Sequence, residues 1–288
     1  MIKTWSRGPA DENMPEAMLV ETLERVRRHP WWAARARLAL AVLQANGVPP
    51  PASVLDVGCG WGVNLSALEK AGHHATGLDI SPQILELIDQ PGRRLIEADL
   101  NQPPPAGHEL YDGALLLDVI EHLDDDRGTL GRIAPLVQPG GILVVSVPAL
   151  PELFSEFDQI QGHRRRYVPE TLRAAFDGSG FAVQKMFWWG GWMVPVLRRM
   201  RQKSSVKDQA APKTYADYLR LPPWPAPVLM KCLYAWEHRR ALQGRQQDPP
   251  DRVPESHAEP AFQRLGDDGC HARRIGAWLD LEFLGLDQ

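Results

Sequence analysis

Cysteine is scarce: Cys59, Cys232 and Cys270 are the only three in 288 residues, widely spaced and odd in number. They make neither a disulfide framework nor a metal-knuckle spacing, and a reducing compartment suits them best. Long apolar runs are also lacking, since no stretch reaches the roughly 18 residues of a membrane span. The first 30 residues carry Asp11, Glu12 and Glu16 but no apolar run of signal-peptide type. The expectation is a cytoplasmic protein. A surplus of positive charge is missing too, with 32 Lys plus Arg against 36 Asp plus Glu and a net charge of −4. That argues against a general attraction to nucleic acid. What is present is a globular composition, 44% apolar and 24% charged, punctuated by 24 Gly and 26 Pro. At about 150 residues per domain, the length allows one elaborated domain or two modest ones.

The pattern is helical from 15 to 46, divided at Pro30, because a proline restricts the residue before it and is welcome only in a helix's first turn. Gly47 and Pro49-Pro50-Pro51 close this segment. Short strand-like runs then alternate with helical stretches. The strands are expected at 53–57, 75–79, 93–98, 113–118 and 141–147, and the helices at 63–71, 82–90, 124–137 and 169–177. A sixth, aromatic-rich strand is expected at 181–189. The alternation predicts an α/β fold, a doubly wound Rossmann-like and mostly parallel sheet with helices on both faces. Its ligands belong beyond the carboxyl ends of the strands. The expected partition is a helical lid at 1–48, a core at 49–189, a helical extension at 190–243 and a divergent, disordered tail at 244–288.

The strongest signal is Asp56-Val57-Gly58-Cys59-Gly60-Trp61-Gly62, between an apolar strand and a helix. Glycine lets the backbone turn tightly and approach a ligand where a side chain would collide. Asp79 closes the second strand, where a carboxylate can accept both ribose hydroxyls of an adenosine. A dinucleotide fingerprint spaces its glycines G-x-G-x-x-G, whereas Gly58, Gly60 and Gly62 alternate, so a nicotinamide oxidoreductase is disfavoured. Asp56 would sit badly against a pyrophosphate but well against an ammonium. Asp99, after the third strand, could accept from an adenine amino group. Adenosine joined to an amino acid describes S-adenosylmethionine.

Residues 53 to about 181 resemble a class I S-adenosylmethionine-dependent methyltransferase, of the group that includes ubiquinone-pathway O-methyltransferases. The resemblance rests on Val54-Leu55-Asp56-Val57-Gly58-Cys59-Gly60, Gly77-Leu78-Asp79-Ile80-Ser81, Asp118-Val119-Ile120-Glu121-His122 and Pro139-Gly140-Gly141. It implies that Gly58 and Gly60 contact the amino-acid part of the cofactor and Asp79, beside Ile80, its ribose. Asp99 and Leu100 would meet the adenine, and Asp118 would wall the sulfonium.

For the acceptor, His122 and His163 are the candidate general bases, each weighed against a purely structural role. Asp124, Asp125 and Asp126 read as helix caps, and no metal is required. The run Gly162-His163-Arg164-Arg165-Arg166-Tyr167 would bind an acidic acceptor or supply the base; otherwise it is a solvated basic turn paired with Glu156 or Asp158. Trp31 and Trp32 would close over the cleft or pack on the sheet. Residues 187–203 combine aromatic and basic side chains, suggesting peripheral membrane contact and a lipid-like acceptor or, alternatively, an ordinary strand and helix. Relatives with such an extension usually end in a strand antiparallel to the sixth, for which no matching text follows Gly244. The expected activity is methyl transfer to a small molecule, O-methylation preferred; the alternative is a non-catalytic binding or assembly module on the same fold.

Overall fold

The computed structural model describes residues 2–6, 16–195, 198, 215–221, 223–242 and 273–280. Its eight strands are β1 (Ile2–Thr4), β2 (Ser53–Val57), β3 (His74–Asp79), β4 (Arg94–Glu97), β5 (Tyr111–Leu117), β6 (Val137–Pro148), β7 (Phe181–Trp189) and β8 (Arg273–Asp280). They form one sheet in the order β1-β4-β3-β2-β5-β6-β8-β7, with every neighbouring pair parallel. After β2 the chain builds outward through β3 and β4, and then returns to add β5 on the other side. The crevice of a doubly wound sheet opens at such a reversal, here above β2 and β5.

Helices α1 (Glu16–Arg28) and α2 (Pro30–Ala45) precede β2. They part where expected: the His29 side chain accepts from the Trp31 N–H at 3.2 Å and Pro30 opens α2. Helices α3 (Val63–Ala71), α4 (Pro82–Ile88), α5 (Asp126–Ile133), α6 (Glu156–Ile160) and α7 (Pro169–Ala175) follow, with α8 (Tyr215–Tyr218) and α9 (Ala226–Leu242) in the extension. The expected helix at 124–137 is shorter, because Pro135 turns its end into a 3-10 segment over Ala134–Leu136. Two glycines seat α2 tightly on the sheet. A Cβ on Gly113 would lie 2.9 Å from Leu43, and one on Gly276 2.9 Å from Val42.

Two parts of the expected partition need correction. The segment 1–48 is not all lid, since β1 pairs with β4 at the sheet edge. The segment 244–288 is not merely a divergent tail, since β8 fills the slot between β6 and β7, parallel to both rather than antiparallel to β7. Ile275, Ala277 and Trp278 are fully buried there, and Trp278 stacks on Phe187 with centroids 5.8 Å apart. Residues 243–272 and 281–288 lie outside the described residues.

Candidate active site

The turn after β2 is built on left-handed backbone, with φ of +70° at Gly58, +43° at Gly60 and +69° at Gly62. A Cβ on Gly58 would lie 2.5 Å from Val119 Cγ2, so the first obstacle is the loop after β5. A Cβ on Gly60 would meet nothing closer than 4.0 Å, which leaves a bare backbone surface for a ligand. The Gly58 and Cys59 N–H groups donate to the Leu78 carbonyl at 2.8 and 3.0 Å, binding the turn to β3. The Trp61 indole donates to the Leu19 carbonyl at 2.9 Å, tying the same turn to α1.

Two acids, Asp79 and Asp56, lie against this turn, and a third, Asp99, follows β4. Asp79 accepts from the Gly60 N–H at 2.8 Å and the Ser81 N–H at 3.0 Å, so its carboxylate is oriented by the glycine turn. Ile80, next to it, is half-buried. Asp56 is buried; its Oδ1 accepts from Asn64 at 3.3 Å while its Oδ2 has no partner. Burial pushes the Asp56 carboxyl up to about 7, against the opposing hydrogen bond from Asn64 and the charge of Arg35. Asp99 donates its own N–H to Ser6 Oγ at 2.9 Å, and its carboxylate accepts from the Asn101 N–H at 2.8 Å and from Gln102 at 3.3 Å. It lines a pocket with Trp5, Leu100 and Arg132, to which the residues after β1 contribute.

Asp118 is held by contacts within the protein. It adopts left-handed backbone (φ +55°), accepts from Ser146 Oγ at 2.8 Å and forms a buried ion pair with Arg35 of α2. The Arg35 guanidinium also lies 4.6 Å over the Trp31 ring. Sequence reasoning missed Arg35. The available signal was an arginine inside an apolar, alanine-rich helix next to a tryptophan pair. Trp31 and Trp32 are both buried, and Trp32 meets Trp61 edge-on at 6.1 Å.

His122 and His163 are brought together, their rings T-shaped with centroids 4.8 Å apart. Burial lowers His122 to about 3, with the neighbouring His163 adding to the effect. That makes it a weak base at neutral pH. His163 is buried and its Nδ1 lies 3.1 Å from Asp158 Oδ1, which also accepts from Arg166 Nε at 2.6 Å. Burial alone would raise the Asp158 carboxyl, but the His163 hydrogen bond and the Arg166 charge outweigh it and hold it well below the usual range.

The basic run is a solvated turn only in part: Arg164 is exposed, whereas His163, Arg166 and Tyr167 are buried, and the expected pairing with Asp158 is made by Arg166. Arg166 is buried against Asp158, Arg164 pairs with Asp124, and Arg165 with Asp126 at 3.2 Å. These contacts fasten the loop after β6 to the loop after β5. Asp125 caps α5 by accepting from the Gly128 N–H at 2.8 Å, and Asp126 also accepts from Tyr167 at 2.9 Å. Glu121, His122 and His163 each offer a potential ligand atom, all within 4.8 Å of one another.

An open glycine turn, an acid oriented by it, and a buried carboxylate with one unpartnered oxygen thus lie together at the end of β2 in a Rossmann-like sheet. A methyltransferase-domain family model matches residues 25–186, and the chain belongs to that family. Those residues are thus a methyltransferase domain. The ubiquinone biosynthesis O-methyltransferase of Xylella fastidiosa strain 9a5c is 30% identical over 106 residues, which are 33% of this chain and 41% of that protein. The protein of the same name from Vibrio cholerae O395 is 32% identical over 111 residues, covering 36% and 45%. The matched region thus spans less than half the length of these relatives. A chain from a structure of a complex with the Haloferax volcanii Trm112 methyltransferase activator shares the fold, with a TM-score of 0.51 and 22% identity over 62% of this chain and 80% of that one.

Proposed function

We propose that the chain methylates a hydroxyl group of a small-molecule acceptor. The observation that carries the cofactor end of this reading is the unpartnered Asp56 Oδ2, buried beside the bare Gly58–Gly60 backbone. A buried carboxylate is costly unless a cation meets it, and the ammonium of an amino acid supplies one. Asp79, whose carboxylate is oriented by the Gly60 and Ser81 N–H groups, is the acceptor we assign to the ribose hydroxyls. Arg35 is the cation that reaches both Asp118 and the field of Asp56, and is the group we assign to the cofactor's carboxylate. When bound, S-adenosylmethionine supplies an electrophilic methyl group on its sulfonium.

Acceptor activation falls to His163 in this reading. Its hydrogen bond to Asp158 orients the ring and favours the proton on Nδ1, leaving Nε2 to take the acceptor's proton. His122, lowered to about 3, serves instead as packing against His163. The O-methyltransferase relatives favour oxygen as the methylated atom. Transfer of a labelled methyl group to phenolic and other hydroxyl acceptors tests this. Turnover that falls at least a hundredfold in His163→Ala, with cofactor affinity unchanged, supports it. Cofactor uptake without transfer to any acceptor would favour the non-catalytic module.

A further inference from the structure

We propose that the outward face of α9, with the residues just before it, is a docking surface for an anionic lipid membrane. Among the described residues nine large hydrophobic side chains are exposed, and five of them, Leu221, Trp224, Val228, Leu229 and Trp236, fall between 221 and 236. Trp224 is 82% exposed. Such clustering marks an interaction site, whereas single exposed apolar residues do not.

Helix α9 is apolar on two opposite sides. At 100° per residue, Met230, Tyr234 and Glu237 fall on one side, and all three are buried. Glu237 there accepts from the Gly190 N–H at 3.0 Å, and Tyr234 packs on Trp189 with ring centroids 5.1 Å apart. Val228, Cys232 and Trp236 run along the other side with Leu229, and Lys231 and Arg240 border them. Arg239 is exposed on the same side near the helix end, and Arg240 lies 4.7 Å over the Trp236 ring. A central apolar strip edged by long basic side chains suits a helix lying at a lipid interface, where the apolar residues enter the acyl boundary and the cations remain among the headgroups.

Charge decides between occupants. The chain carries a net charge of −4, yet the exposed charges of α9 are all basic, because its one acid, Glu237, is buried. A second copy docked by the same face about a two-fold axis would bring these cations against one another. Anionic lipid headgroups complement them. The membrane contact thus moves away from 187–203, where Phe187 and Trp189 are buried and Trp188 and Trp192 half-buried in the protein's own packing, and where 196, 197 and 199–203 lie outside the described residues.

Flotation of the full chain with phosphatidylcholine vesicles, with and without phosphatidylglycerol, tests the proposal. The chain is expected to float with the anionic vesicles only and to be released by high salt. Lys231→Glu with Arg239→Glu, and separately Trp224→Ser with Trp236→Ser, should each weaken binding by roughly tenfold or more while thermal unfolding and cofactor uptake stay unchanged. Failure to float with phosphatidylglycerol, equal flotation with both vesicle types, or variants that float like the parent would overturn it. So would a concentration-dependent dimer in sedimentation that Trp236→Ser abolishes, since that assigns the face to a second copy.

Discussion

Arg35 of α2 and Asp118 at the end of β5 form an ion pair, with side chains only 8% and 10% exposed. The helix before the sheet is thereby fastened to the strand end where the site opens. Removing one partner leaves the other charge buried and alone. Arg35→Ala or Asp118→Ala should cost about 3–5 kcal/mol in urea unfolding, while the double substitution should cost less than the sum. Additive losses would show that the pair is not coupled.

Asp56 predicts a pH dependence of definite sign. Its folded-state value of about 7 lies above the unfolded value of about 3.9, so folding is favoured when the group is protonated. The protein should lose stability as pH rises from about 4 to about 7, by on the order of 4 kcal/mol from this group. Asp56→Asn should remove that loss, so the variant gains on the parent across the same window. Calorimetry should also find proton release when the ammonium-bearing cofactor binds near pH 6–7, and none in Asp56→Asn. A stability difference between the two proteins that does not change with pH would contradict the assignment.

Gly58→Ala combines two costs, a left-handed residue at φ +70° and a contact 2.5 Å from Val119 Cγ2. The backbone part should cost about 1–2 kcal/mol. Adding Val119→Ala should relieve the steric part alone, so the double variant should regain part of the lost stability and cofactor affinity. A double variant no better than Gly58→Ala would assign the whole effect to the backbone.

The last strand should behave as core. Trp278→Ala should destabilise by about 3–5 kcal/mol, and amide exchange at 275–278 should be as slow as in β6. Fast exchange there, or clipping of the segment without loss of the cofactor-bound body, would show that β8 is dispensable.

The sheet was largely legible in the sequence because buried parallel strands read as short apolar runs between helical stretches, and β2 and β7 occupy the expected 53–57 and 181–189. β8 was not. Gly276 and Ala277 have low strand propensity, and their value appears only when Val42 of α2 is seen against the sheet. β1 has three residues and too little pattern to register. The glycine turn and its acids were readable because their spacing is local. The partners of those acids were not: Arg35 lies 83 residues from Asp118, and only folding brings them together. Of the counter-ions of the basic run at 164–166, Asp158 could be named from the sequence, whereas Asp124 and Asp126, read only as helix caps, meet Arg164 and Arg165 through the packing of two loops.

The most direct measurement of the central claim is a calorimetric titration of the full chain with S-adenosylhomocysteine, repeated on Asp79→Ala. Saturable one-to-one uptake is predicted, weakened roughly ten- to a hundredfold by the substitution through loss of charge-assisted hydrogen bonds worth about 1.5–3 kcal/mol. No saturable heat from the parent protein, or identical affinity in the two proteins, would contradict it.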